Sequence, residues 1–453
     1  MKIIVIGDVM LDINHICNLF RQAPEAQHIP IYKIENTSFI LGGAGNVVNN
    51  LHNINTDVEL ITVVGNDFYG KKIQEMLTLR NLKNLCFVDN HKITTQKYRL
   101  FYANQIVSRH DIEDTRDIDI TIETEIYNYI VNKINKTDVI VISDYNKGVI
   151  TESLCKKIIL LANENRVPTF VDPKLKNINK YSNCFCFKPN MAEAVAITNE
   201  QCLDKVFLSI KNQISPSNIV VTDGPNGIYL NSPTTNYRHT EEINVVDVTG
   251  AGDIAICVIV YVWLIKRDLN LCCSIANSIC GKSVQCIGNY SLSVDDIHAL
   301  ILQNKIIYDY EIEKIQSLSK IKKNVFTNGC FDIIHSAHIR LLSFSKKQGN
   351  ILIVGLNSDN SVKRLKGLTR PINNIQERSD LLLSLDFVDY IIIFSDDTPL
   401  NVLSILKPDI LVKGGDYTKE NIIGKEFAGE IILFDFIHGK STSNIIKQIN
   451  RLE

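Results

Sequence analysis

The chain has 453 residues, of which 45% are hydrophobic and 22% charged, a composition typical of globular proteins with large buried cores. Its 48 Lys and Arg nearly balance its 50 Asp and Glu, and the net charge of -2 argues against the strongly basic surface of a nucleic-acid-binding protein. We therefore expect a small-molecule partner and no nucleic acid. At roughly 150 residues per domain, the length predicts two or three domains.

The N-terminal segment MKIIVIGDVMLD predicts a β-strand, because Asp8 and Asp12 interrupt the apolar run that a secretory signal would need. The longest apolar run, residues 254–265, is shorter than the roughly 20 residues of a membrane-spanning helix, so no membrane interaction is expected. The 12 cysteines include no Cys-x-x-Cys pair, which disfavours a zinc ribbon or a thioredoxin-type site. Unpatterned thiols are typical of the reducing cytosol, and we expect a cytoplasmic protein.

Short β-branched runs alternate with helix-length segments up to about residue 300. This rhythm predicts an α/β fold with a doubly wound, mostly parallel sheet. Two segments, 29–35 and 94–111, instead alternate polar and apolar residues without an intervening helix, which predicts a small half-exposed β-sheet or lid.

The charged segment 305–323 is predicted to be a helical linker, after which the strand-helix rhythm restarts. The chain should therefore consist of one domain over residues 1–304 and a second, Rossmann-like domain over residues 324–453. A domain of roughly 130 residues is of ordinary size.

Residues 245–253 read VVDVTGAGD and precede a wholly apolar helical segment. Gly250 and Gly252 permit a tight turn at the N-terminus of that helix, where unpaired amides and the helix dipole favour an anion. Phosphoryl transfer needs such a site, and Asp253 could accept the proton of an attacking hydroxyl. The alternative for a single glycine-acid pair is a simple N-capping aspartate.

This segment resembles the signature of ribokinase-like carbohydrate kinases. The resemblance implies that Asp253 is the catalytic base and that the amides of Gly250, Ala251 and Gly252 form an anion hole. Further motifs of that family follow in the expected order: GDVMLD at 7–12, GGAGN at 42–46, KPNMAEA at 188–194 and the TDGPNG turn.

These motifs imply roles for further residues. The sugar would be bound by Asp12, Gly42, Gly43 and Asn46, although the family more often has alanine at Gly45. ATP and its magnesium would lie near Asn190, Met191, Ala192 and Glu193, and the nucleotide near Asp223, Gly224 and Gly227. No cluster of side chains indicates a dedicated metal site, so magnesium should arrive with ATP, near Glu193.

Two further segments, SDYNKG at 143–148 and VDPK at 171–174, occupy predicted strand ends, where open α/β sheets bind ligands. Lys147 and Lys174 could bind a substrate phosphate or could be solvated turn residues. The sequence leaves both interpretations open.

In the second domain, residues 329–338 read GCFDIIHSAH between a predicted strand and a predicted helix. His335 and His338 are three residues apart, so on one helical turn they face the same way. They could ligate a metal, but no third nearby His or Cys completes a zinc site. Ordinary surface or core histidines are the other alternative.

The strand, turn and histidine pair resemble the cytidylyltransferase-like nucleotidyltransferases, whose motif is His-x-Gly-His. The resemblance implies that both histidines stabilise the α-phosphate of a nucleotide while pyrophosphate leaves. The family's central glycine is Ala337 here, and its methyl group could crowd the phosphates.

The same resemblance implies nucleotide contacts along the domain. They would come from Asn328, Gly329, Phe331, Lys363, Lys366, Arg370, Lys413, Gly414, Asp416, Ser441 and Thr442. Residues 357–371, which contain the first cluster of lysines and arginines, are predicted to form a loop after a strand; a solvated basic surface is the alternative for that cluster.

Taken together, the chain resembles the bifunctional heptose-7-phosphate kinases and heptose-1-phosphate adenylyltransferases of Gram-negative bacteria. This implies ATP and Mg²⁺ as cofactors, phosphorylation of D-glycero-β-D-manno-heptose 7-phosphate at its anomeric hydroxyl, adenylyl transfer to heptose 1-phosphate, and a homodimer. Three alternatives stay open: another phosphorylated sugar or polyol, a kinase with a non-catalytic second domain, and a metal-dependent sensor that uses the paired histidines.

Overall fold

The computed structural model describes residues 1–103, 105–174, 176–231, 235–237, 243–286, 290–303, 305–308, 323–414 and 421–434. The chain divides into two compact units, Met1–His298 and Ala299–Glu453. Within the described ranges, no helix is both long and apolar enough to cross a lipid bilayer.

The described part of the first unit contains thirteen strands. They are β1 (Lys2–Gly7), β2 (Val9–Ala23), β3 (Ala26–Gly43), β4 (Asp57–Gly65), β5 (Lys83–Asp89), β6 (Gln96–Tyr102), β7 (Gln105–Ile112), β8 (Val139–Ser143), β9 (Thr169–Asp172), β10 (Cys186–Phe187), β11 (Asn218–Thr222), β12 (Ile228–Leu230) and β13 (Asn236–Tyr237). Nine of them form one sheet in the order β13-β12-β11-β10-β9-β8-β1-β4-β5, parallel from β5 to β11.

Nine helices are described between the first strand and residue 303. They are α1 (Ala44–Asn53), α2 (Phe68–Leu79), α3 (Ile120–Lys133), α4 (Glu152–Glu164), α5 (Met191–Thr198), α6 (Leu203–Ile214), α7 (Ala251–Lys266), α8 (Leu269–Ser283) and α9 (Val294–Gln303).

Helices cover both faces of the large sheet. Ile6 and Ile142 pack with α3, α4 and α6 on one face. On the other face α1 packs on β1 and β4, and α7 packs on β9 and on both α1 and α8. Because α7 is enclosed in this way, its residues from Asp253 to Val262 are all buried, which explains why it is apolar on every side. The predicted doubly wound α/β class is confirmed.

The remaining four strands form a separate sheet in the order β3-β2-β6-β7. β2 pairs antiparallel with β3 and parallel with β6, and every residue of β7 is exposed. This sheet is the predicted half-exposed lid.

The second unit contains a parallel sheet of six described strands. They are β14 (Ile306–Tyr308), β15 (Asn324–Gly329), β16 (Ile351–Asn357), β17 (Tyr390–Phe394), β18 (Ile410–Gly414) and β19 (Glu430–Phe434), in the order β14-β17-β16-β15-β18-β19. The described helices after residue 323 are α10 (Ser336–Lys346), α11 (Asp359–Lys366), α12 (Ile375–Leu383) and α13 (Leu400–Leu406). Leu342 of α10 and Leu382 of α12 pack on one face of the sheet, and Leu403 of α13 packs on the other.

The predicted helical linker 305–323 is wrong at its start. Residues 306–308 form β14, which pairs in parallel with β17, and Ile307 is buried in the core of the second unit. The charged residues that follow suggested a helix, but the apolar Ile-Ile-Tyr run forms a strand because it packs at the edge of that core. Residues 309–322 lie outside the described part of the chain.

Both sheets reverse their strand order at one point, where crevices open beyond the carboxyl ends of parallel strands. In the first unit this point lies between β1 and β8, and in the second between β15 and β18. In the second unit, the candidate residues Asn328 on β15 and Lys413 on β18 stand on either side of this point.

Candidate active sites

Asp253 lies in the first turn of α7, directly after the glycine turn. Gly250 caps the helix with φ 75°, a left-handed conformation that glycine adopts without strain. Gly250, Gly252 and Asp253 line a cavity of about 150 Å³. Its other lining residues are Tyr145, Asp172, Lys174, Lys188, Asn190, Glu193 and Thr222.

The carboxylate of Asp253 is held on both oxygens. Asn46 Nδ2 donates to Oδ2 at 2.7 Å, and the hydroxyl of Tyr145 donates to Oδ1. Burial raises the pKa of Asp253 to about 6, and the two hydrogen bonds oppose that rise because they favour the ionised form. At neutral pH the group is an ionised carboxylate that can accept a proton.

A buried lysine faces the same cavity. Lys188 forms an ion pair with Asp172 at 3.0 Å, and its Nζ lies 4.0 Å from where a side chain at Gly252 would begin. Burial disfavours its charge, but the Asp172 carboxylate outweighs this effect and raises the pKa of Lys188. The sequence prediction missed Lys188 and Asp172, although each stands at a strand end within a quoted motif.

Asn190 and Glu193 form a capping box at the N-terminus of α5. Asn190 Oδ1 accepts from the Glu193 amide at 2.8 Å, and Glu193 Oε2 accepts from the Asn190 amide at 3.0 Å. The other carboxylate oxygen of Glu193 contacts the ammonium group of Lys174. In the same first turn Ala192 is exposed, while Met191 packs against the apolar core.

The oxygen atoms of Asp172 and Glu193 suit a magnesium ion that is bound mainly by phosphate oxygens. Among the described residues, no group of three or more metal-ligating side chains occurs. The paired histidines therefore lack, in that part of the chain, the further ligands of a zinc site.

The predicted nucleotide turn follows β11, which is joined to Asn190 by a bridge at Thr222. Asp223 donates its amide to the carbonyl of Gly227 at 2.8 Å, and Gly224 and Gly227 have φ values of 46° and 91°. A side chain at Gly224 would meet open space.

Close packing requires glycine at positions 42 and 43, which are two of the predicted sugar-binding residues. A Cβ at Gly42 would lie 2.6 Å from Oδ2 of Asp12, and one at Gly43 would lie 2.4 Å from the Asp8 carbonyl. Asp12 in turn pairs with Arg99 of the lid at 2.8 Å.

A larger cavity of about 480 Å³ shares Tyr145 and Lys174 with the first. Its lining residues are Lys97, Tyr145, Asn146, Lys147, Lys174 and Lys176. Lys147 contacts Glu113 at 2.7 Å, and Lys97 lies 4.0 Å from the same residue. Four lysines therefore line a space adjacent to Asp253. Lys97 also lies 3.8 Å from Asp111, and Lys174 contacts Glu193, so the four lysines exceed their three carboxylate partners by one positive charge.

In the second unit, β15 ends at Gly329 and a turn leads to α10. Phe331 has φ 44° and is buried, and a Cβ at Gly329 would lie 3.0 Å from its ring. His335 caps α10, and its ring stacks on that of His338 with centroids 3.8 Å apart. Burial and the neighbouring His335 lower the pKa of His338 to about 4.

Lys413, from β18, contacts Oδ1 of Asn328, from β15, at the reversal point of this sheet. Burial lowers the pKa of Lys413 to about 8. The following residue, Gly414, packs against Leu341 of α10, where a Cβ would lie 3.2 Å from the leucine side chain.

The predicted basic loop over 357–371 is partly wrong. Asp359–Lys366 forms α11, so Lys363 and Lys366 are exposed in its last turn, whereas Arg370 follows on a loop. The Ser358 hydroxyl starts this helix by accepting from the amide of residue 361 at 3.4 Å. The guanidinium of Arg370 contacts the buried carboxylate of Asp332.

Sequence reasoning missed how the histidine turn is braced. Asp332 accepts amide hydrogen bonds from Ile372 at 2.7 Å and Asn373 at 3.1 Å. Arg378, fully buried, donates to the carbonyl of Cys330 at 2.6 Å and to Asp359 at 2.7 Å. Asp416, Ser441 and Thr442 lie outside the described residues.

Two family models match the chain. Residues 1–296 match the pfkB family carbohydrate kinases, and residues 326–450 match the cytidylyltransferase-like family. Among solved structures, Escherichia coli phosphofructokinase-2 in complex with potassium superposes with a TM-score of 0.54 at 17% identity, covering 66% of this chain and 97% of its own. Arabidopsis thaliana ribokinase with ribose and ATP gives 0.51 at 14% identity, covering 66% and 98%. At these identities the likeness shows the fold.

Curated relatives match along the whole chain. The bifunctional protein HldE of Aliarcobacter butzleri is 37% identical over 100% of this chain and 98% of its own length. The protein of the same name from Campylobacter jejuni subsp. doylei is 38% identical over 99% and 97%. The chain therefore belongs to the family of the bifunctional HldE proteins, with a PfkB sugar-kinase domain followed by a cytidylyltransferase-like nucleotidyltransferase domain.

Proposed function

We propose that this enzyme phosphorylates D-glycero-β-D-manno-heptose 7-phosphate at C1 with ATP, and then transfers AMP from ATP to heptose 1-phosphate, giving ADP-heptose and pyrophosphate. A separate phosphatase removes the 7-phosphate between the two steps. The observation that carries the choice of a phosphorylated sugar is the lysine-lined cavity beside Asp253. Full-length similarity to bifunctional HldE proteins supports the pairing of the two reactions.

In the kinase step, Asp253 takes the proton of the anomeric hydroxyl as that oxygen attacks the γ-phosphorus and ADP leaves. The negative charge that develops is stabilised by the amides after Gly250 and by the ammonium group of Lys188. Asp172 and Glu193 are the carboxylates that would hold a magnesium ion brought by ATP, and that ion would offset the charge of the phosphates.

The 7-phosphate occupies the lysine-lined cavity. Lys97, Lys147, Lys174 and Lys176 supply the positive charge. A dianionic phosphate there lies at the far end of the sugar from C1, so it fixes which hydroxyl meets Asp253. A free sugar lacks this anchor and should bind poorly.

In the transfer step, a phosphate oxygen of heptose 1-phosphate attacks the α-phosphorus and pyrophosphate leaves. A sugar phosphate is largely ionised at neutral pH, with a second pKa of about 6, so the site needs no strong base. His335, His338 and Lys413 are the donors proposed to stabilise the crowded phosphates. The pKa of His338, about 4, keeps its ring neutral, so it donates through an N–H rather than as a cation.

The protein is further proposed to act as a cytoplasmic homodimer. All 12 cysteines are unpaired, as is typical of a reducing compartment. The lid carries exposed apolar side chains, Phe20 at 62% and Ile106 at 54%, which favour association with a second copy. Sedimentation equilibrium measures the mass in solution.

The test is to incubate the enzyme with ATP, Mg²⁺ and a panel of phosphorylated sugars, and to identify products by mass. Asp253→Asn should lower sugar phosphorylation by about 10²-fold to 10⁴-fold and leave adenylyl transfer intact. His335→Ala should abolish only the transfer. If heptose 7-phosphate is not phosphorylated but another sugar is, the proposed substrate is wrong. If no pyrophosphate is released from ATP and heptose 1-phosphate, the second domain is not catalytic.

A further inference from the structure

Asp8 follows β1 at the reversal point of the large sheet and is completely buried. Its carboxylate accepts three backbone hydrogen bonds from a single loop. Oδ2 accepts from the amides of Tyr145 at 2.8 Å and Lys147 at 3.1 Å, and Oδ1 accepts from that of Val149 at 3.0 Å. One side chain thus satisfies three amides that face the interior.

The backbone of the same residue fixes a second loop. The Asp8 carbonyl accepts from the amide of Ala44 at 3.0 Å, at the start of α1. Gly43, with φ 60°, leaves no room for a side chain against that carbonyl. Asp8 therefore joins the start of α1, directly after β3, to the loop after β8.

Each of these two segments, the first turn of α1 and the loop after β8, carries one of the donors to the catalytic base. Tyr145 donates its hydroxyl to Oδ1 of Asp253, and Asn46 donates to Oδ2. The loop after β8 also carries Lys147, which lines the lysine-rich cavity. The position of the Tyr145 donor consequently depends on the Asp8 side chain, whereas that of the Asn46 donor depends on the Asp8 backbone carbonyl, which a substitution of the side chain retains.

Burying an ionised carboxylate completely is energetically unfavourable unless hydrogen bonds compensate for the lost solvation. Burial and the nearby Asp144 raise the pKa of Asp8 to about 6, and the three amides oppose that rise. Asp144 is itself paired with Lys180 at 2.5 Å and accepts from Tyr181 at 2.6 Å. Lys92 and Lys147 are the cations that line the small space beside Asp8.

We propose that Asp8 is a positioning residue of the kinase reaction, which holds the loop after β8 so that the Tyr145 hydroxyl stays on the catalytic base Asp253. This inference rests on the proposed kinase function. Asp8 touches no substrate; it acts through Tyr145.

Two variants test the two contacts on which this proposal depends, the one between Tyr145 and Asp253 and the one between Asp8 and the loop after β8. Tyr145→Phe removes only the hydroxyl, and it should lower kcat of the kinase about tenfold, the worth of one hydrogen bond to a charged group. Because that bond favours ionised Asp253, its loss should also move the acidic limb of kcat/KM to higher pH. Tyr145→Phe leaves Asp8 unchanged, so the shift belongs to Asp253.

Asp8→Asn replaces an acceptor oxygen by an amide group, which cannot accept all three hydrogen bonds. We expect Asp8→Asn to lower kcat about tenfold or more in the wild-type background. In the Tyr145→Phe background it should lower kcat less than about twofold, because the hydrogen bond from Tyr145 to Asp253, through which Asp8 acts, is already absent. The matched control is Asp89→Asn, a buried carboxylate at the end of β5 that accepts the His91 amide at 2.8 Å and contacts none of the site residues. Adenylyl transfer by the same chains reports whether they are folded.

The inference is overturned if the two kinase effects multiply, or if Tyr145→Phe leaves the acidic limb in place. An unchanged acidic limb in Tyr145→Phe would overturn the inference even if Asp8→Asn does not fold. Failure of the proposed function has a different signature, because wild-type enzyme would then phosphorylate no sugar phosphate at all.

Discussion

Asn46 and Asp253 are 207 positions apart in the sequence, yet Asn46 Nδ2 donates to Asp253 Oδ2 at 2.7 Å in the buried interior. The family resemblance assigns Asn46 to the sugar. The structure adds a contact with Asp253, the proposed catalytic base, through which Asn46 would influence proton transfer as well as binding.

Asn46→Ala should therefore change the pH profile of the kinase. The hydrogen bond from Asn46 lowers the pKa of Asp253. Its loss raises that pKa above about 6, so the base is protonated, and activity lost, at a higher pH than in the wild type. A shift of about one unit corresponds to about 1.4 kcal/mol. The measurement is kcat/KM for sugar phosphorylation between pH 5 and pH 8.

Asn49→Ala is the matched control for that variant. Asn49 lies on the same helix and accepts a hydrogen bond from Arg80 at 2.6 Å, away from Asp253. An equal shift of the pH profile in both variants would mean that damage to α1, rather than the lost bond, is the cause.

Lys413 should give the adenylyl transfer an alkaline limb. Its pKa of about 8 means that the ammonium group is present at neutral pH and is lost as the pH rises above 8. The kcat/KM for ATP should therefore fall as the pH rises above 8. Lys413→Met should have a low kcat/KM at every pH, without this alkaline decrease. Lys347→Met, an exposed lysine near the end of α10, is the control. A retained alkaline limb in Lys413→Met would assign it to another group.

His338 should titrate near pH 4 in the folded protein, well below the ordinary 6.5. A folded-state pKa below the unfolded value means that this imidazole stabilises the fold fully above pH 6.5, and that this stability is lost as the pH falls towards 4. His338→Gln should accordingly be less sensitive to acid across that interval. The NMR shift of the ring proton against pH gives the midpoint, and a value near 6.5 would contradict the burial argument.

Ala337→Gly should leave the transferase equally active or raise its activity, since glycine gives the nucleotide phosphates more room at the start of α10. The cost of glycine within a helix, about 1 kcal/mol, acts in the opposite direction on stability. Ser336→Gly is the control, because this substitution at the preceding, exposed position destabilises the helix in the same way but adds no space at position 337. A tenfold loss of turnover in Ala337→Gly alone would show that the methyl group does not crowd the phosphates.

Local sequence features predicted much of this protein. The glycines around Ala251 predicted the turn before a buried helix, and the alternating residues of 94–111 predicted the lid. Prediction failed at Ile306–Tyr308, where a charged neighbourhood suggested a helix but an open sheet edge accepts a strand. It also failed at α11, where the Ser358 cap was overlooked.

The sequence by itself determined the strand-turn-helix units and the two families, and it supplied the candidates for the reacting side chains, because backbone dihedrals and apolar periodicity are properties of neighbouring residues. The tertiary structure decided what surrounds those side chains. Tyr145 and Asn46 reach Asp253 only because the loop after β8 meets the first turns of α1 and α7. Asp172 reaches Lys188 because β9 and β10 are neighbours in the sheet. Burial and charge at those meeting points set the pKa values on which both reactions depend.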